Sequence, residues 1–403
     1  MDSSEQSVDA LPLTGIRVIE LASVWAMPGA GMYLADQGAD VIKVEPIGGE
    51  IGRTVTMSPP INGLSRAFWG LNRNKRGICV DIKAPEGADV IRNLASEADV
   101  LIHNFRPGVD ERLGIDYERL SQSNPRLVYV AYNAFGANGP RRNARGYDLG
   151  IQAAAGIAMK RAAPDGSPQP IGIFAVDMAS SIMAGYAVML ALFARERTGR
   201  GKKITGSLLQ TGLALQVPEA VRVAGIEEPP LDPTAPRSAI FSPFRCADDV
   251  FIQLSVASDA EWKSLCEAME RPDLADDPTL STGPQRVEQS DRLRPILDAI
   301  FVRKEADYWQ DRFDEFDAPG VKMETPQSIF ESEQAIANNA FVDIEQPGVG
   351  RTTVVGVPFE LSDTTPRTFS AAPELGQHTD DILSELGCSP EQVEELRRRK
   401  IVA

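Results

Sequence analysis

The chain has 403 residues, 43% of them apolar and 24% charged, with 57 acidic against 41 basic side chains and a net charge of −16. This composition excludes intrinsic disorder, and at roughly 100–200 residues per domain the length suits two or three domains, each with its own core. The acidity argues against a nucleic-acid groove or an anionic membrane as partner.

Residues 1–10 are acidic, without a basic residue, and are expected to be disordered rather than a signal or transit peptide. Arg17 to Leu21 is short and rich in β-branched residues and predicts a strand. Pro28 lies in the first turn of a predicted helix that runs to about Gln37 and stops at Gly38. Asp40–Glu45 predicts a second strand, Ile78–Ile82 a third, Pro85–Ala98 a helix, and Val100–Ile102 and Leu127–Val130 further strands. Strands alternating with helices predict a doubly wound, Rossmann-like parallel sheet covered on both faces. The uncharged run Met178–Ala194 falls short of the ~20 residues of a bilayer span and reads as a buried helix.

Proline and turn residues gather at Glu227–Pro236. The expected organisation is therefore a large α/β domain over 11–225, a linker over 226–237, a smaller α+β domain over 238–325, and a return segment over 326–403 that packs on the large domain. Cys79, Cys246, Cys266 and Cys388 are scattered, with no C-x-x-C pair. They suit reduced thiols in a cytoplasmic protein, and neither a disulfide framework nor a zinc ribbon; no metal site is expected.

Two nucleotide-like motifs are incomplete. Gly29-Ala-Gly31 follows a strand, but Leu34 stands where the dinucleotide fingerprint needs its third glycine. Thr198–Lys203 lacks the P-loop pattern and reads as a basic turn after a helix. The charge distribution is more telling. Residues 60–150 hold thirteen basic and ten acidic side chains, a net +3, which leaves −19 on the rest. Arg73, Lys75 and Arg76, then Arg106 and Arg112, then Arg141, Arg142 and Arg145 form three basic clusters. Several follow predicted strands, where ligands settle in open α/β sheets, and they suit a phosphate-bearing small molecule.

Asp177 immediately precedes the uncharged helix. As an N-cap its oxygen would accept a backbone N–H. As a functional group it would be a carboxylate held ionised by the helix dipole, its pKa lowered, and aimed at an activated acyl carbon. Pattern alone leaves both readings open.

Several motifs in order along most of the chain resemble class III CoA-transferases of the formyl-CoA:oxalate and carnitine type. They are Leu13-Thr-Gly-Ile-Arg-Val-Ile-Glu-Leu21, Leu34-Ala-Asp-Gln-Gly-Ala-Asp-Val-Ile-Lys-Val-Glu-Pro46, Leu71-Asn-Arg-Asn-Lys-Arg76, Asn104-Phe-Arg-Pro-Gly108, Arg112-Leu-Gly114, Phe135-Gly136 with Gly139-Pro140, Gly146-Tyr-Asp148, and Asp177 ahead of Arg195-Glu-Arg-Thr-Gly-Arg-Gly201. The resemblance implies transfer of CoA from an acyl-CoA to a small carboxylic acid through an aspartyl-CoA thioester at Asp177. It implies that Asp148 lies near the catalytic centre. CoA would lie along Val24, Leu71, Asn72, Arg73, Lys75, Asn104, Phe105, Arg106, Arg112 and Arg145, with Trp25 and Tyr147 toward the substrate. It further implies no permanently bound cofactor and an interlocked homodimer whose small domain reaches over the partner's CoA site.

Two departures argue against oxalate as the substrate. Trp25 replaces a glutamine of the formyl-CoA enzyme, and no glycine-rich lid occurs between Ser238 and Ser258. The same family includes α-methylacyl-CoA racemases, which use a histidine base where this chain has Tyr147. A tyrosine with a pKa near ~10 is a poor base at neutral pH, so racemisation is the alternative expectation.

Overall fold

The computed structural model describes residues 11–55, 59–163, 165–227, 232, 238–362 and 368–403. The expected disordered segment 1–10 and most of the expected linker 226–237 lie outside these residues. The chain divides into two compact units, one made of residues 1–233 and 339–403, the other of 234–338.

In the first unit six strands, β1 (Arg17–Leu21), β2 (Asp40–Glu45), β3 (Lys75–Cys79), β4 (Val100–His103), β5 (Val128–Asn133) and β6 (Lys203–Ser207), form one sheet in the order β3-β2-β1-β4-β5-β6. All five pairings are parallel. The order is that of a doubly wound nucleotide-binding sheet, whose crevice opens between β1 and β4. β3 starts at Lys75 instead of the expected Ile78, with Lys75 opposite Val41. Two charged residues can begin this strand because both are paired: Lys75 with Glu20, and Arg76 with Asp40 and Glu385. β6 begins inside the segment read as a basic turn, after Gly199 ends the preceding helix in the left-handed region at φ +68°.

The helices of this unit are α1 (Ala26–Ala35), α2 (Arg66–Asn72), α3 (Pro85–Glu97), α4 (Val109–Leu113), α5 (Tyr117–Ser123), α6 (Asp148–Ala154), α7 (Ala175–Thr198) and α8 (Leu208–Ala214). α1, α6, α7 and α8 cover one sheet face. α3, α5 and the terminal helices Thr379–Glu385 and Pro390–Arg398 cover the other. Burial on both faces explains why β4 and β5 are mostly apolar, and Glu20, the buried charge of β1, is paired with Lys43 and Lys75.

The Gly29-Ala-Gly31 motif serves helix packing. A Cβ on Gly29 would meet Ser181 Oγ of α7 at 2.3 Å, and one on Gly31 would meet Glu20 Oε2 at 2.0 Å. The helix expected to be buried is half so. Val176, Ser180, Ser181, Ala184, Val188 and Leu192 face the core, whereas Ile182, Met183, Tyr186, Met189, Leu190 and Phe193 are exposed. By length and composition α7 could cross a membrane, but its inner face packs on α1 and the sheet as a core helix does.

The second unit holds a three-stranded antiparallel sheet, Pro243–Arg245, Phe251–Leu254 and Gly320–Lys322. Helices pack on it around Phe244, Trp262, Phe301, Trp309 and Phe313. The return to the first unit comes at Asn339, later than the expected 326, because the short helices Ser328–Glu331 and Glu333–Ala337 belong to the second unit. After it, Phe341–Gln346 and Gly350–Val355 form a hairpin.

Candidate active site

A cleft of about 320 Å³ opens at the carboxyl ends of β1, β4 and β5, at the switch point of the sheet. The turn after β1 forms one wall. Val24 there has φ +71°, a conformation that a β-branched residue rarely adopts and that stores about 1–3 kcal/mol of strain. Its surroundings over-determine it. The Val24 N–H donates to Glu50 Oε2 at 2.8 Å. Ser23 N–H donates to Asn104 Oδ1, and Asn104 Nδ2 returns a bond to Ser23 O. Glu50 is paired with the buried Lys43, which also binds Glu20 and the Ala22 carbonyl.

Asp177 forms the opposite wall. It is the third residue of α7, not its N-cap; Phe174 occupies that place without a side-chain cap. The cap comes from Asp148, whose Oδ2 accepts the Asp177 N–H at 2.8 Å. The Asp177 side chain lines the cleft yet is buried, and its carboxyl is pushed up to about 7, first by burial and then by the Asp148 charge. This is opposite in sign to the lowered pKa expected from the helix dipole alone, because desolvation acts on the whole charge. Asp148 is itself sealed from solvent and does not line the cleft. Its pKa is raised by burial, against N–H groups of Asp177, Gln152 and Val176 that favour its charge. The resemblance suggested a catalytic Asp148; the geometry gives it a positioning part, through the backbone of Asp177.

Val24, Trp25, Asn104, Arg106, Arg145 and Tyr147 line the cleft with Asp177. Trp25 packs edge-on against Phe174, ring centroids 3.8 Å apart, and its buried indole N–H has no hydrogen-bond partner among the described residues. Tyr147 is exposed at the rim. Phe105 lines an adjoining cleft of about 470 Å³ that shares Ser23, Ile51 and Asn104 with the first.

The remaining expected ligand residues lie elsewhere. Leu71 is buried beside Trp25. Arg73 makes a two-toothed pair with Asp36 and donates to the Val355 carbonyl. Lys75 Nζ is enclosed by Glu20 at 2.7 Å, Pro28 O at 2.8 Å and Asn72 Oδ1 at 2.9 Å, and burial pushes it down to about 8 against the pull of Glu20. Asn72, Arg73 and Lys75 are thus engaged in holding α1, α2 and the sheet together, and none lines either cleft. Arg112 is exposed on α4 and lines neither.

Neither histidine reaches the cleft. His103 is buried and accepts the Phe105 N–H on Nδ1, and His378 accepts the Gly77 N–H. Among the described residues no group of three His, Cys, Asp or Glu side chains is arranged to hold a metal.

Four site residues escaped the sequence reading. Arg142, read only as part of a basic cluster, lines the cleft and has no acidic partner among the described residues. Glu50 supports Val24. Ser181 donates to the Ala26 and Asp177 carbonyls at 2.6 and 3.0 Å, tying the two walls together. Gln152, one helical turn after Asp148, binds it directly; the i, i+4 spacing was a usable signal.

Comparison with known proteins agrees with this architecture. The model of CoA-transferase family III matches residues 13–379. A succinate–glutarate CoA-transferase of Agrobacterium fabrum is 33% identical over 93% of this chain and 96% of its own. A formyl-CoA:oxalate CoA-transferase of Streptomyces avermitilis is 29% identical over 97% and 99%. The crystal structure of a CAIB/BAIF family protein from Brucella suis superposes with a TM-score of 0.81 at 30% identity, covering 94% of this chain and all of that one. The Mycobacterium tuberculosis protein Rv3272 superposes with a TM-score of 0.82 at 29% identity, covering 93% and 99%. With that match across most of its length and a cleft at the switch point of its sheet, the chain belongs to CoA-transferase family III and is a CoA-transferase.

Proposed function

We propose that the chain moves CoA between an acyl-CoA donor and a carboxylic acid acceptor with Asp177 as covalent nucleophile. The supporting observation is a single buried carboxylate at the wall of an otherwise basic and apolar cleft. Asp177 Oδ attacks the thioester carbonyl, and collapse expels CoA thiolate to leave a mixed anhydride. The thiolate attacks Asp177 Cγ, releasing the donor acid as carboxylate and leaving an aspartyl-CoA thioester. An acceptor carboxylate then attacks Cγ and displaces the thiolate, which takes the new acyl group and frees Asp177. No net proton is consumed. Burial strengthens the nucleophile by stripping water from it. Ala26 and Met27 line the same cleft at the start of α1, where first-turn N–H groups lack partners within the helix and are available to an oxyanion.

The two joined clefts suit an elongated CoA, its thiol end near Asp177 and its nucleoside end in the more apolar second cleft, with phosphates at Arg106 and Arg145. The relatives named for succinate and glutarate, together with Arg142, which has no acidic partner among the described residues, favour an acyl group that carries a second carboxylate. A second copy of the chain would cover the exposed apolar face of α7, since apolar stripes of that extent are normally buried by association.

The test is mass spectrometry after mixing with succinyl-CoA. A CoA-sized adduct on the peptide containing Asp177 is expected, and Asp177→Ala should abolish transfer while CoA still binds. Full turnover by Asp177→Ala overturns the reading.

A further inference from the structure

Gln152 sits on α6, with no exposed surface, and its carboxamide is engaged on both ends. Nε2 donates to Asp148 Oδ1 at 2.5 Å and to the Ile173 carbonyl at 2.9 Å, and Oε1 accepts the Ile171 N–H at 3.0 Å. Residues 171–173 lead directly into α7, and Asp148 caps that helix at Asp177. Every one of these bonds therefore ends on a group that fixes where the first turn of α7 starts. A buried amide satisfied in this way is a rigid joint, and removing it leaves several buried polar groups unpaired at once.

We propose that Gln152 is a positioning residue for CoA transfer, holding Asp148 and the 171–173 segment so that α7 presents the Asp177 carboxylate to the cleft at a productive distance. This rests on Asp177 being the nucleophile. Gln152 touches neither substrate nor cleft and acts through Asp148 and the backbone. The physical requirement is tight, because a misplacement of about 1 Å can cost about 100-fold in rate. Among the described residues, charged groups close to the amide are few. Asp148 lies on its own helix and Asp177 on α7; the 171–174 turn and α8 bring none, and Lys160, in the short helical turn after α6, pairs with Glu219.

Two variants test the proposal in the full-length protein, with succinyl-CoA as donor. Gln152→Leu removes all three bonds. Gln152→Glu keeps the shape but, when ionised, sets a second carboxylate against Asp148; when protonated, it can again donate to Asp148 and accept from Ile171. Burial beside a like charge raises the pKa of such a glutamate. The expected result is a single-turnover rate of Asp177 adduct formation about 10- to 100-fold below wild type in both variants, with CoA affinity unchanged. For Gln152→Glu the ratio to wild type should climb as the pH is lowered from about 8 to about 6.

Wild-type adduct rates in both variants overturn the proposal. So does a loss of rate matched by an equal loss of CoA affinity, or a Gln152→Glu deficit that is flat with pH, since either is what simple loosening of the fold would produce. Absence of any adduct in the wild type overturns the nucleophile itself, and this inference with it.

Discussion

Asp148 and Asp177 are 29 residues apart, yet a carboxylate oxygen of the first accepts the backbone N–H of the second at 2.8 Å. The same acid thus fixes the start of α7 and places a negative charge beside the Asp177 carboxyl. Burial and that charge together push Asp177 up to about 7. With Asp177 as the proposed nucleophile, the rate of its acylation should therefore rise with pH through about 7 as it ionises. In Asp148→Asn the amide oxygen can still accept the N–H while the charge is gone, so the midpoint should move to lower pH. A pH profile of single-turnover adduct formation checks this; an unmoved midpoint would show that the Asp148 charge does not reach Asp177.

The same shift predicts a stability cost. An acid whose pKa is higher in the folded state than in the unfolded chain favours folding at low pH, and that benefit is lost as pH rises through the folded value. For Asp177 the window lies between the ordinary aspartate value of 3.8 and about 7, and the cost above it is at most a few kcal/mol. Asp177→Asn should therefore be more resistant to urea than wild type at pH 8, with little difference at pH 4. A variant equally stable to wild type at pH 8 would contradict the raised pKa.

Much of the sheet was legible because its strands are short and rich in β-branched and apolar residues, as at Val100–Ile102 and in the Val41-Ile42 pair of Asp40–Glu45. Its edges were not. Lys75 and Arg76 read as part of a basic ligand patch because composition cannot show that Glu20, Asp40 and Glu385 lie opposite them. Lys203 was hidden for a similar reason, since a charged residue beside glycines reads as a turn until a neighbouring strand is known. At the site, Asp177 was singled out by its place before the uncharged run and Arg106 by the basic clusters, Trp25 and Asn104 through the family resemblance, and all four line the cleft. Glu50 and Ser181 carry no chemical signature in one dimension, because their parts depend on which backbone groups the fold brings to them; for Gln152 only the i, i+4 spacing from Asp148 was there to read.

Gly29 illustrates how such hidden contacts can be probed. Gly29→Ala places a methyl where Ser181 Oγ lies, 2.3 Å from the new Cβ. Ser181 must then leave the Ala26 carbonyl or α1 must move from α7. Overpacking of this kind costs about 1–3 kcal/mol, so the urea midpoint should fall. Because Ser181 joins the two walls of the cleft, the rate of adduct formation should fall as well. Unchanged stability would mean that α1 and α7 adjust without strain.

Trp25 offers the most direct handle on substrate choice. Its indole lines the cleft and is braced by Phe174, with Met32 and Leu71 in the same cluster. A braced aromatic is a wall that does not swing away, so under the proposed function it is expected to limit the length and branching of acyl groups that can approach Asp177. Trp25→Ala should open this wall without touching Asp148, Gln152 or the Asn104 brace of the turn. The ratio of kcat/KM for a longer acyl-CoA to that for succinyl-CoA should then rise by about 10-fold or more, the scale of one or two methylenes accommodated in an apolar pocket. Trp25→Phe, which keeps an aromatic ring against Phe174, should shift the ratio much less. A panel of CoA thioesters of increasing chain length, assayed with one common acceptor, measures both. Equal loss of kcat/KM across the panel would instead assign Trp25 to the support of the Val24 turn, since loosening that turn disturbs every donor alike.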